Sequence, residues 1–236
     1  MAAFGGLPSP DVPGDRQPFV GYLCGLTGQA APRIGVLTTA TGDDPAIAAR
    51  TCAWFESTGG EVGHLALSPM PSVADPEDFL LSRDLIFVGG GSVANMLAVW
   101  RVHHLDRIMR AAWRAGVVLS GVSAGAICWF VGGTTDSFGP DLRPYSDGLG
   151  FLKGSYCPHY DSEPGRRPLF TSLVAAGVLP AGIACDDGAG AHFADDELEA
   201  VVTGVPGAAG YLVGPDGAGE FTQTTLATRP LPGLGS

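Results

Sequence analysis

Gly116-Val117-Val118-Leu119-Ser120-Gly121-Val122-Ser123-Ala124-Gly125-Ala126-Ile127-Cys128-Trp129-Phe130 is the stretch that decides the fold of this 236-residue chain. Its first part is a short apolar run of strand length; its last part is apolar, free of proline and long enough to start a helix. Between them lies Gly121-Val122-Ser123-Ala124-Gly125, a G-x-S-x-G pattern. Small residues on either side of a serine allow a sharp strand-to-helix turn that holds the hydroxyl exposed, with the next amide free to face an oxyanion. The uncharged run from Ala115 to Thr135 is as long as a membrane span. Gly116, Gly121, Gly125, Gly132 and Gly133 divide it into strand, turn and helix, so we read it as none.

Outward from this stretch, apolar segments alternate in type. Strands are expected at 34–38, 62–67, 84–88 and around Val117, and helices at 17–26, 44–57, 76–81, 93–100 and 105–115. That alternation predicts an α/β fold, a doubly wound and mostly parallel sheet with helices on both faces. Sites in such sheets lie beyond the carboxyl ends of the strands. Three strand ends carry unusual loops: Thr38–Asp43, Gly89–Ser92 and Ser123. Segments 182–186, 198–203, 210–213 and 220–226 read as short strands of a meander, an antiparallel C-terminal region of the same domain. Residues 1–236 therefore form one domain, with 1–14, rich in Gly and Pro, expected as a flexible arm.

Hydrophobic residues make up 45% of the chain and charged ones 16%, which excludes a disordered protein. A net charge of −11 and no Lys/Arg run argue against nucleic acid or an anionic membrane as partner. Five cysteines without a C-x-x-C spacing predict reduced thiols, no zinc site and a cytoplasmic location, with no signal peptide evident.

A serine nucleophile requires a base and a group that orients it. His159, in a polar loop after Cys157-Pro158, is the first candidate base and His192 the second; His64 reads as structural, and His103 and His104 as solvated or capping. Asp187, in the Asp186-Asp187 pair at a strand end, is the candidate acid, with Asp136, Asp161 and Glu163 as rivals. An order of serine, acid, histidine would require Asp187 and His192, which are too close in sequence for separate loops. The order Ser123, His159, Asp187 is therefore preferred, which argues against an α/β-hydrolase. The amides of the Gly89-Gly90-Gly91 turn could complete an oxyanion hole with that of Ala124.

Several segments together resemble the peptidase E family of serine peptidases: 34–43, Phe87-Val88-Gly89-Gly90-Gly91, Asn95-Met96-Leu97, Trp100-Arg101, 121–129, Thr135-Asp136-Ser137, Cys157-Pro158-His159-Tyr160 and Asp186-Asp187. The resemblance covers Asp15 to Thr203. It implies a flavodoxin-like sheet similar to that of class I glutamine amidotransferases, with Ser123 as nucleophile where those enzymes have Cys, and His159 as base. The family acid, usually Glu, falls on Asp187, which is one methylene shorter; Asp136 is the rival. Ser92 stands where the family usually has Asn.

The implied activity is hydrolysis of dipeptides or short peptides with N-terminal Asp, through an acyl-enzyme. A cyanophycinase-like peptidase and a non-catalytic, ligand-sensing member of the fold are the alternatives. Amidotransfer would need a cysteine at position 123, and Cys128 lies more than a helical turn beyond. Substrate carboxylate binding falls to Arg166 and Arg167, and the substrate amine to Glu163 or Asp161. No metal or organic cofactor is implied. The expected partner is a small peptide, and the expected state a monomer or homodimer.

Overall fold

The computed structural model describes residues 1–8, 16–216, 218 and 221–232. Its centre is a parallel array of five strands, β1 (Ala2–Phe4), β5 (Val118–Val122), β4 (Leu85–Val88), β2 (Arg33–Leu37) and β3 (Glu61–Leu65), in that spatial order. Beyond β1 the sheet continues through β10 (Ala189–Ala194), antiparallel to β1, and β11 (Glu197–Thr203), antiparallel to β10, to β14 (Thr228–Pro230), which runs parallel to β11.

Alternation along these strands sends successive side chains to opposite faces. Phe4, Ile34, Val36, Leu85 and Phe87 pack on one face with Phe19, Val20 and Leu23 of α1 (Gln17–Gly25) and Phe55 of α2 (Pro45–Glu56). Ala3, Ile86, Val88 and Leu119 face the other side. There they meet α3 (Pro76–Leu81), α4 (Val93–Val102), α5 (Leu105–Arg114) and α6 (Ala124–Ile127) through Leu80, Met96, Trp100, Met109 and Ala126. Helices on both faces explain why the central strand β4, Leu85-Ile86-Phe87-Val88, is apolar throughout instead of alternating with polar residues. The doubly wound, mostly parallel α/β sheet expected from the sequence is present.

Two expectations need correction. The first is that residues 1–14 form a flexible arm: Ala2–Phe4 is instead the buried strand β1, between β5 and β10 in the middle of the large sheet. Ala3 and Phe4 are fully buried, so this stretch is held by pairing on both edges and by core packing. Residues 9–14 of the expected arm lie outside the described residues.

The second concerns the C-terminal strands, which do not form a single meander. A six-stranded second sheet runs in the order β13 (Phe221–Thr225), β12 (Gly210–Pro215), β9 (Gly182–Cys185), β8 (Ser155–Cys157), β6 (Gly132–Thr135), β7 (Arg143–Tyr145). β9 pairs in parallel with β8, whereas the hairpin β10–β11 returns to the large sheet against β1, so the predicted strands are shared between two sheets. Helix α7 (Arg166–Ala175) buries Phe170 and Val174 in a third cluster with Cys157, Ala184 and Val213 of the second sheet. Among the described residues, no helix is long and apolar enough to cross a membrane.

Candidate active site

Strand β5 ends at Val122, and the chain reverses into α6 through Ser123. Ser123 adopts φ 54°, ψ −118°, a backbone state that costs a non-glycine residue on the order of 1–3 kcal/mol. The flanking glycines make the turn possible. A Cβ on Gly121 would strike the backbone of Gly125, and one on Gly125 would strike the carbonyls of Val88 and Gly89. The turn is fixed from behind, where the Ser123 amide donates to the Phe4 carbonyl at 3.1 Å.

His159 follows β8 on the neighbouring sheet and is also held at positive φ, 50°. Its Nε2 is 2.9 Å from Ser123 Oγ, and its Nδ1 is 2.7 Å from Asp187 Oδ1. Three residues from three separate segments thus form one hydrogen-bonded chain. Ser123 and His159 are two of the five non-glycine residues with positive φ among the described residues, which places backbone strain where the reactive groups meet. Burial alone would raise the pKa of the Asp187 carboxyl; the hydrogen bond and the charge of His159 outweigh it and hold the group below the usual carboxylate range. The Asp187 amide donates to Asp161 Oδ1 at 2.9 Å, so that rival acid carries the Asp187 loop and not the imidazole.

A cavity of about 410 Å³ opens over Ser123 and His159. Gly91, Ser92, Asp136, Ser137, Glu163 and Arg166 complete its lining. Gly90 lies against the serine: a Cβ there would sit 3.1 Å from Ser123 Cβ. Ala124 is the first residue of α6 and follows the serine directly, and Gly91 lines the same cavity. Asp136 lies in the same cavity, which separates its position from that of Asp187 on the imidazole.

Arg166 is 3% exposed, with Nε on Glu163 Oε2 at 2.7 Å, Nη2 on Glu163 Oε1 at 3.4 Å and Nη1 on the Thr134 carbonyl. Arg167 turns away from the cavity: its guanidinium stacks 4.5 Å from the Tyr160 ring and 4.9 Å from that of Tyr211. The two neighbouring arginines therefore have different surroundings, and only Arg166 lines the cavity.

The turn Thr38–Asp43 acts at one remove. Ser92 donates its amide to the Ala40 carbonyl at 2.8 Å, and Gly91, at φ 136°, leaves no room for a Cβ against Ala40. Asp43, buried, accepts the amides of Leu67 and Ser68 at 2.7 and 3.0 Å, and Thr38 Oγ1 is 2.8 Å from His64 Nε2. This network carries the glycine loop and does not line the cavity. His192 bonds Tyr22 at 2.9 Å, on the strand that edges β1 on the side away from β5.

All five cysteines are free. Cys128 is buried and its thiol pKa is pushed up by burial; that of Cys157 is raised to about 12 for the same reason, so neither presents a thiolate to the cavity. Among the described residues, no group of three or more His, Cys, Asp or Glu side chains is arranged to hold a metal ion.

Fold and site together define a class: a doubly wound α/β protein whose serine, on a strand-to-helix turn, is linked through histidine to aspartate. The model of Peptidase family S51 matches residues 14–201, and the chain belongs to that family, the peptidase E family. It is 44% identical to an uncharacterized peptidase, YgaJ, of Bacillus subtilis over 211 residues, 89% of this chain and 88% of the relative. Two solved structures share the fold at 16% identity. One is a putative peptidase E protein from Listeria monocytogenes, with a TM-score of 0.62 over 84% of this chain and 95% of its own. The other is a peptidase from an acI-B1 Actinobacterium, with a TM-score of 0.70 over 96% of this chain and 93% of its own.

Proposed function

We propose that this peptidase hydrolyses dipeptides or short peptides bearing an N-terminal Asp, through an acyl-enzyme on Ser123. The observation that carries the reading is the unbroken chain Ser123 Oγ–His159–Asp187, at 2.9 and 2.7 Å. Oγ attacks the carbonyl carbon of the first residue while His159 Nε2 takes its proton. Ionised Asp187 holds Nδ1–H and stabilises the imidazolium. The carbonyl oxygen, now an oxyanion, accepts from the amides of Gly90 or Gly91 and of Ala124. His159 then gives its proton to the leaving amine as the C–N bond breaks. Water, deprotonated by the same nitrogen, attacks the ester carbon and releases the acid and the free serine.

Substrate selection follows from charge. Arg166 is the cation of the cavity, and its Nη2 holds Glu163 only at 3.4 Å, so a substrate β-carboxylate can take that edge of the guanidinium. Asp136 and Glu163 offer carboxylates to the free α-ammonium. A cavity of about 410 Å³ suits a short ligand. Arg167, stacked on Tyr160 and Tyr211, has no part in this pocket.

The test is release of p-nitroaniline from aspartyl p-nitroanilide, run beside glutamine, cyanophycin and a general ester. Wild type is expected to prefer the aspartyl compound and Ser123→Ala to lose the activity. Retention of the rate by Ser123→Ala would end the proposal; preference for cyanophycin would favour the cyanophycinase-like alternative, and no turnover at all the ligand-sensing one.

A further inference from the structure

The segment Ala3–Gly6 bonds to each of the three chain segments that carry the candidate triad. The Ala3 carbonyl accepts the Tyr156 hydroxyl at 2.9 Å, on the strand that leads into His159. The Phe4 carbonyl accepts the Ser123 amide at 3.1 Å, and the Gly6 carbonyl the Gly188 amide, next to Asp187, at 2.9 Å. Gly6 also forms an isolated parallel bridge with Asp187. A Cβ on Gly6 would run into the Asp187 carboxylate and lie 3.0 Å from His159 Cε1. The backbone of Gly6 is therefore the wall against which the Asp187–His159 pair rests.

Gly6 is not among the glycines with positive φ, so alanine is compatible with its backbone. The two atoms met closer than 3.0 Å belong to the Asp187 side chain, which is 38% exposed, so the carboxylate is the group that must turn aside, toward solvent. Such a turn breaks the 2.7 Å bond to Nδ1 while leaving the sheet intact.

We propose that Gly6 is a positioning residue: the missing side chain at position 6 sets the Asp187–His159 geometry, and the N-terminal strand thereby fixes the three loops relative to one another. The inference rests on the triad reading above. It deepens that reading by adding a residue far away in sequence that touches no substrate. It accounts for the Gly5-Gly6 pair, which composition alone assigns to a loose arm.

The test is a double-mutant cycle on the full chain with aspartyl p-nitroanilide, using Gly6→Ala, Asp187→Ala and the pair. Gly6→Ala is expected to lower kcat by about 30-fold or more, since even one charge-assisted hydrogen bond of ~2 kcal/mol corresponds to that factor. KM and the thermal midpoint should stay close to wild type. In the Asp187→Ala background the same substitution should change kcat less than threefold, because the group it displaces is gone. The downfield proton resonance of His159 Nδ1–H should be lost in Gly6→Ala. Wild-type kcat in Gly6→Ala, an equal further loss in the Asp187→Ala background, or a Gly6→Ala protein that does not fold would each overturn the proposal. If Asp187→Ala itself keeps the wild-type rate, the triad reading has failed instead.

Discussion

Replacing Asp187 by Asn tests the acid at a position where the chain departs from the family's usual Glu. The change keeps the size of the side chain and removes its charge. The 2.7 Å contact to His159 Nδ1 is a charge-assisted bond, worth ~1.5–3 kcal/mol against ~0.5–1.5 for a neutral one. An Asn can also present its amide nitrogen to Nδ1. The ring then keeps its proton on Nε2, facing Ser123 Oγ, and cannot act as base. At ~1.4 kcal/mol per factor of ten, loss of charge alone lowers kcat by about tenfold, and the wrong tautomer extends the loss to as much as about 10⁴. The expected result is a kcat for aspartyl p-nitroanilide down by about 10²–10⁴, with KM changed less than threefold, because Asp187 is not among the residues lining the cavity. Asp187→Glu should also lower kcat: Asp already reaches the ring at 2.7 Å, so an added methylene carries the carboxylate past that position. A variant Asp187→Asn within threefold of wild type would refute the reasoning and return Asp136 as the candidate acid.

Gly125→Ala places a Cβ against the backbone carbonyls of Val88 and Gly89, which cannot turn aside; overpacking of ~1–3 kcal/mol or more should lower the thermal midpoint by about 3–10 °C. Arg167→Ala should leave KM for the aspartyl substrate within about twofold, while Arg166→Ala should raise it at least tenfold, read from initial rates; equal effects would contradict the separate surroundings of the two arginines. The folded-state pKa of Asp187 is depressed by His159, so its contribution to stability is present above the unfolded value of ~3.9 and is lost as pH falls through the folded value. Denaturation curves of wild type and Asp187→Asn should therefore differ at pH 6 and draw together as the carboxylate is protonated on acidification; a gap that widens on acidification has the wrong sign.

The serine turn is legible in the sequence because its requirements are local: an apolar strand, two glycines that no side chain can replace, and a serine between them. The parallel sheet is legible for the same reason, since β4 and the part of β2 after Arg33 are buried on both faces and read as short runs without a polar residue. The pairing of His159 with Asp187 could be guessed from loop placement, but the reach of the shorter acid depends on how closely Gly6 lets the two loops approach. That approach is a tertiary fact. Strand β1 was hidden because Ala2-Ala3-Phe4 is too short for a period to emerge and is followed by turn residues; only its neighbours β5 and β10 make it a strand. The second sheet escaped in part because β6 and β8 read Gly132-Gly133-Thr134-Thr135 and Ser155-Tyr156-Cys157, small and partly polar residues buried by pairing and not by hydrophobic pattern. The contrast between Arg166 and Arg167 needs α7, whose helical rotation sends one guanidinium to Glu163 and the other to the tyrosines.

The most direct measurement is covalent labelling by a fluorophosphonate, with the adduct located by peptide mass spectrometry and its rate of formation followed in wild type and in His159→Ala. One phosphonyl group should appear on Ser123, at a rate that falls at least a hundredfold when the imidazole 2.9 Å away is removed. An adduct at another residue, or a Ser123 rate indifferent to position 159, would contradict the account.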